Sequence, residues 1–269
     1  MSASNIINQK PKSMKAKFAA LSVVTMILLL HVNAQQFNSD SWISKAHGTI
    51  TLIPTVGERN TMLMNTYSLF SKWEFTMAAY LYNDDNDPKT NDGYSTSLYA
   101  KYMFYQNKAG TGGAAVKAGT GMFPGTIDKE LRAEDAFQTF WMNAPATVPL
   151  FHDKVSFDVM PGVSLTRNYG TEQTTAWAFT YSTRVAWYPW YPQNPKWAFV
   201  GEVFGSAGQT SGKPEFKFGP RWEPSQYATF ALTYGQEFGG SEGAGFEFGV
   251  MLFTPPFACL GGCGDKKKK

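Results

Sequence analysis

The stretch "KPEFKFGPRWE", residues 213–223, decides how the chain is read. Charges fall at Lys213, Glu215, Lys217, Arg221 and Glu223, and aromatics at Phe216, Phe218 and Trp222. A period of two is the signature of a β-strand with two unlike faces. In a soluble protein the aromatic face would point into the core, whereas in a membrane barrel it would point into lipid. The rest of the sequence has to say which.

Aromatic residues make up 16% of the 269 residues and charged residues 17%, well below the ~25% charged content of ordinary soluble domains. Mean hydropathy is nevertheless −0.28, so the apolar residues are dispersed and not blocked. The one block stands at the start. Lys10, Lys12, Lys15 and Lys17 precede the uncharged run "FAALSVVTMILLLHV", Phe18 to Val32, and "VNA" ends at Ala34. This is the pattern of a cleaved secretory signal peptide, residues 1–34. The run is shorter than the ~20 residues a helix needs to cross a bilayer. Loss of its four lysines takes the formal net charge from +3 to −1, which gives no reason to expect a nucleic-acid partner.

From residue 46 to 253 the sequence keeps one rhythm. Alternating segments of about ten residues are separated by Gly, Asn, Asp, Pro or Ser clusters, as in transmembrane barrels. Twelve are expected: 46–54, 62–70, 73–82, 94–106, 113–122, 136–144, 153–166, 173–187, 196–208, 213–223, 226–238 and 244–253. Connections such as Ser71-Lys72 and Pro224-Ser225 are short. "NDDNDPKTNDG" (83–93) and "FPGTIDKELRAED" (123–135) are long and lie on alternate hairpins. Short periplasmic turns and longer outside loops alternate in this way. The sixth connection, around "PATVPLFH", and the eighth, "YPWYPQNP", break the rule.

The apolar face reads Trp73, Phe75, Met77, Ala79 and Leu81 on one segment and Trp177, Phe179, Tyr181, Val185 and Trp187 on another. Trp73, Trp177, Trp187, Trp197 and Trp222 sit towards segment ends, where interfacial girdles form. The opposite face holds seven bases, Lys101, Lys117, Lys154, Arg184, Lys213, Lys217 and Arg221. It also holds seven acids, Glu74, Asp158, Glu202, Glu215, Glu223, Glu237 and Glu247, with Tyr99 and small residues between them. The expected fold is therefore all-β, a transmembrane antiparallel up-and-down barrel of about twelve strands. The charged face becomes its lumen lining. Equal numbers of acids and bases favour neither an anion nor a cation pore.

The flanks are read as a short N-terminal segment, 35–45, and a periplasmic tail, 254–269, that carries Cys259 and Cys263 as a disulfide candidate and ends in Lys266 to Lys269. With so little ahead of the first strand, no plug is expected. Asp84, Asp85, Asp87 and Asp92 form an acidic loop whose spacing matches no calcium motif, so no metal or other cofactor is expected. His47 and His152 belong to no nucleophile motif, and G-x-S-x-G is absent, so no enzyme is expected.

Gly219-Pro220 inside a strand, "YGQEF" (Tyr234 to Phe238) and Gly243 leading into "GFEFGVMLF" resemble the outer-membrane family named for the meta-pathway of phenol degradation. "NDGYSTSLYAKY" (91–102) is a second echo. The resemblance covers the C-terminal third and implies uptake of small molecules, aromatic ones among them. The expected function is an outer-membrane channel or passive transporter for small polar or aromatic solutes, with lipid as its surroundings. The alternative is a structural barrel with a side-chain-filled lumen that binds a periplasmic or surface protein, and a rim enzyme is third.

Overall fold

The computed structural model describes residues 48–70, 72–82, 93–121, 125–126, 139–167, 175–209, 213–240 and 243–256. The signal peptide, the segment 35–45, His47, the acidic loop and the cysteine- and lysine-bearing tail lie outside these residues.

Twelve strands run antiparallel in sequence order and close into a barrel. They are β1 (Thr49–Gly57), β2 (Asn60–Phe70), β3 (Trp73–Tyr82), β4 (Gly93–Gln106) and β5 (Gly113–Gly121). Then come β6 (Thr139–Asn143 and Ala146–Leu150), β7 (Val155–Val159 and Gly162–Arg167) and β8 (Thr175–Trp187). The last four are β9 (Lys196–Gly208), β10 (Glu215–Ser225), β11 (Ala228–Glu237) and β12 (Gly245–Phe253). A two-residue ladder, Gly125–Thr126, adds to Gly93 and Tyr94 of β4. Closure is made by β12 on β1, with Thr51 opposite Phe253 and Val56 opposite Phe248. Closure leaves no unpaired edge, which is what a sheet in hydrocarbon requires.

Three expected connections change: the first, the sixth and the tenth, where β10 runs through Pro224 to Ser225 and the turn is Gln226-Tyr227. β1 runs on to Gly57 and β2 begins at Asn60, so the first hairpin turns on Glu58 and Arg59. Pro54 stays inside the ladder, opposite Leu63. The sixth connection shrinks as well, because "ATVPL" continues β6 and the turn is Phe151 to Lys154. Phe151, His152 and Asp153 take φ values of 52°, 57° and 65° there.

β6 and β7 are each broken at a proline, Pro145 and Pro161, because proline has no N–H to give the ladder. Pairing nonetheless continues through the breaks. The Pro145 carbonyl accepts from Ala115 N–H at 2.9 Å, and the Pro161 carbonyl from Ala144 N–H at 2.9 Å. The eighth connection, 188–195, stays long and contains cis bonds before Pro192 and Pro195.

Alternation along the strands sorts the two faces. Val56 (60% exposed), Met77, Phe104, Trp177, Phe218 and Phe248 point out. Aromatic rings pack side by side on this outer face near both barrel ends. At the end of the short turns, Trp197, Trp222 and Phe230 stack at 5.9 and 5.4 Å. At the other end Phe216 meets Phe238 at 5.1 Å and Tyr234 meets Phe246 at 5.0 Å. An apolar outer surface of this extent is stable against hydrocarbon and not against water, so the barrel is transmembrane.

Candidate functional site

The inner face is the site. β10 shows how its character changes along the axis. Lys213, just before β10, is exposed and lies 3.5 Å from Glu237. Glu215 and Lys217 line open space, with Lys217 Nζ 2.6 Å from Glu247 Oε2. Arg221 and Glu223 are fully buried, with Nη2 and Oε1 2.5 Å apart. The charge ladder therefore runs from water at one end to a dry, paired interior at the other.

The same division holds around the barrel. Towards the short turns, Lys101 pairs with Glu74, and Glu74 also accepts from Ser68 Oγ at 3.2 Å. Arg184 Nε donates to Asp158 Oδ2 at 3.0 Å, and Asp158 takes a further bond from Thr147. Glu223 accepts from the Tyr188 hydroxyl at 3.2 Å, while the Arg221 guanidinium lies 5.2 Å from the Tyr188 ring centre. Tyr188 belongs to the long eighth connection, so that departure from the short-turn rule supplies a lid side chain to a buried ion pair. Each charge buried here has its opposite within contact distance, the arrangement that makes burial tolerable.

Towards the other end lies a cavity of about 490 Å³. Ile53, Met62 and Met64 of β1 and β2 form one wall, and Arg184, Glu202 and Lys217 of β8, β9 and β10 form the facing one. A neighbouring space of about 570 Å³ shares Trp141, Asn143, Met160, Glu202 and Lys217 and extends to Lys213 and Glu215. Glu202 accepts from Ser182 Oγ at 2.5 Å. It sits in register between Arg184 and Lys217, so the charges alternate in sign across three strands.

Aromatic side chains complete the lining. Tyr99 of β4 and Trp141 of β6 meet at 5.1 Å between ring centres, and Lys117 Nζ lies 5.4 and 5.3 Å from them. They close over Gly119, which pairs with both in register. A Cβ there would come within 2.5 Å of Leu98 O and Tyr99 Cβ and 2.7 Å of Trp141, so only glycine lets the rings meet. Phe204 also turns inward, beneath Lys217 Nζ at 5.7 Å.

Of the charged residues expected on the inner wall, Lys154 differs in place, standing in the exposed turn Phe151 to Lys154 ahead of β7. Glu74, Lys101, Lys117, Asp158, Arg184, Arg221, Glu223 and Glu247 are buried on their strands. Glu202, Glu215 and Lys217 border the internal spaces, Glu237 is half-buried on β11, and Lys213 stands just ahead of β10. The apolar lining, Ile53, Met62, Met64 and Met160, and the inward Trp141 and Phe204 were not singled out. They carry no charge to separate them from lipid-facing residues. His152 is exposed in its turn, and among the described residues no group of acids, histidines and cysteines could hold a metal ion.

No protein-family model and no curated protein matches the chain, so the expected kinship with the phenol-degradation family has no support from either. Solved structures do match in fold. The KdgM porin in complex with disordered oligogalacturonate is 8% identical, with a TM-score of 0.50 over 76% of this chain and 98% of that one. An outer-membrane channel from Pseudomonas putida F1 is 9% identical, with a TM-score of 0.49 over 81% and 99%. The NanC porin is 7% identical, with a TM-score of 0.46 over 76% and 97%. At such identities the likeness is one of fold alone, a closed antiparallel β-barrel.

Proposed function

We propose that the protein is a passive channel of the bacterial outer membrane, surrounded by lipid and taking up small polar or aromatic solutes through its lumen. The observation that carries this reading is the space inside the barrel. A side-chain-filled barrel has no need of a cavity of about 490 Å³ lined by Glu202, Lys217 and Glu247. Acids and bases alternate there, which suits weakly charged solutes better than a strongly selective ion pore.

The buried pairs near the short turns favour a second reading, a barrel closed at that end that serves as a structural or partner-binding element. Planar-bilayer recording of the purified, refolded protein separates the two. A channel gives stepwise, reproducible currents, and silence at several voltages would refute it.

A further inference from the structure

Between the cavity and the short turns the lumen is filled. Inward side chains there are buried, Ser68, Lys101, Ala115, Arg221 and Met251 among them. A solute in the cavity leaves by that end only if part of the filling moves. The side chains on strands are held by the ladder. Tyr188 is not, because it lies past the end of β8, in the connection 188–195.

Tyr188 is nonetheless only 7% exposed. It packs with Ala186 and Ala198, and Tyr191 and Val200 cover the same cluster. Its hydroxyl donates to Glu223 Oε1 at 3.2 Å, and its ring centre lies 5.2 Å from the Arg221 guanidinium. Its backbone N–H donates to Lys154 O at 2.8 Å, which anchors the main chain and leaves the side chain free to turn. The strand residues beneath the ring are alanines, so no larger side chain of that cluster's strands takes its place. Withdrawal breaks the hydroxyl bond and the ring contact. It is offset at Arg221, whose buried Nε and Nη1 find no partner among the described residues and would gain water.

We infer that Tyr188 gates the lumen at the short-turn end. With its ring against the Arg221–Glu223 pair the lumen is closed, and withdrawal of the ring from Ala186 and Ala198 admits water and small solutes.

The role in transport rests on the channel reading, but the opening is measured without current. Cys259→Ser and Cys263→Ser clear the native cysteines, and Ala198→Cys then places one thiol beneath the ring. Its rate of labelling by a small, water-soluble methanethiosulfonate, in the full chain in lipid nanodiscs, tracks the open population. Tyr188→Phe keeps the ring and removes only the bond to a charged carboxylate. It should speed labelling about tenfold. Trp190→Ala, at an exposed residue of the same connection, should leave the rate within about twofold. If the Ala198→Cys protein fails to fold, Ala231→Cys, opposite Arg221 on β11, serves in its place.

A Tyr188→Phe rate within about twofold of that with Tyr188, or no labelling of either, would overturn the inference. Faster labelling in a protein that passes no current in a planar bilayer would uphold the opening at Tyr188 and refute the channel. Current with labelling unchanged by Tyr188→Phe would do the reverse.

Discussion

Arg221 is the residue most dependent on its surroundings. It is completely buried, and its Nε and Nη1 find no hydrogen-bond partner among the described residues. Its Nη2 lies 2.5 Å from Glu223 Oε1, an ion pair by proximity and not a bidentate clamp. Ala198 and Ala231 oppose it on the neighbouring strands and leave it room. Removing one member of a buried pair strands the other, at a cost of about 3–5 kcal/mol. Glu223→Gln should therefore lower stability to urea by that order, and Arg221→Met added to it should recover part of the loss. A single variant as stable as the parent would show that the pair is not desolvated as the structure has it.

At the scale of strands, alternation is both the cause of the fold and the reason it could be read. Leu232, at the centre of β11, faces out, and Thr233, next to it, lines the cavity. An arginine on the lipid side near mid-bilayer costs about 2–4 kcal/mol. Leu232→Arg should show that loss in urea unfolding, and Thr233→Arg should not. Equal losses would contradict the face assignment.

The same period of two made the strands and their two faces legible from sequence. The misread places are those where proline or glycine resembles punctuation. Gly57 looks like part of a turn but lies within β1, and Pro224 looks like one but lies within β10. Pro149 continues β6, which displaced Lys154 from strand to turn. Backbone carbonyls go on accepting through such residues, and no single-residue property records that. Which charges border open space was also invisible. It depends on which strands face one another across the ring, and sequence spacing does not carry that distance.

For the whole molecule, the barrel is an asymmetric vessel: a cavity lined by charged and apolar side chains towards one end, and buried ion pairs towards the other. If solutes and ions pass through it, the lining charges must set which ions pass. Lys217 is the best placed to report this, since it borders both internal spaces and is still partly exposed. The direct test is the reversal potential of single channels in a planar bilayer under a potassium chloride gradient, before and after Lys217→Glu. A conducting lumen predicts a clear shift towards cation selectivity in the variant. An unchanged reversal potential, in a variant that still conducts, would place the current outside this lumen and contradict the account.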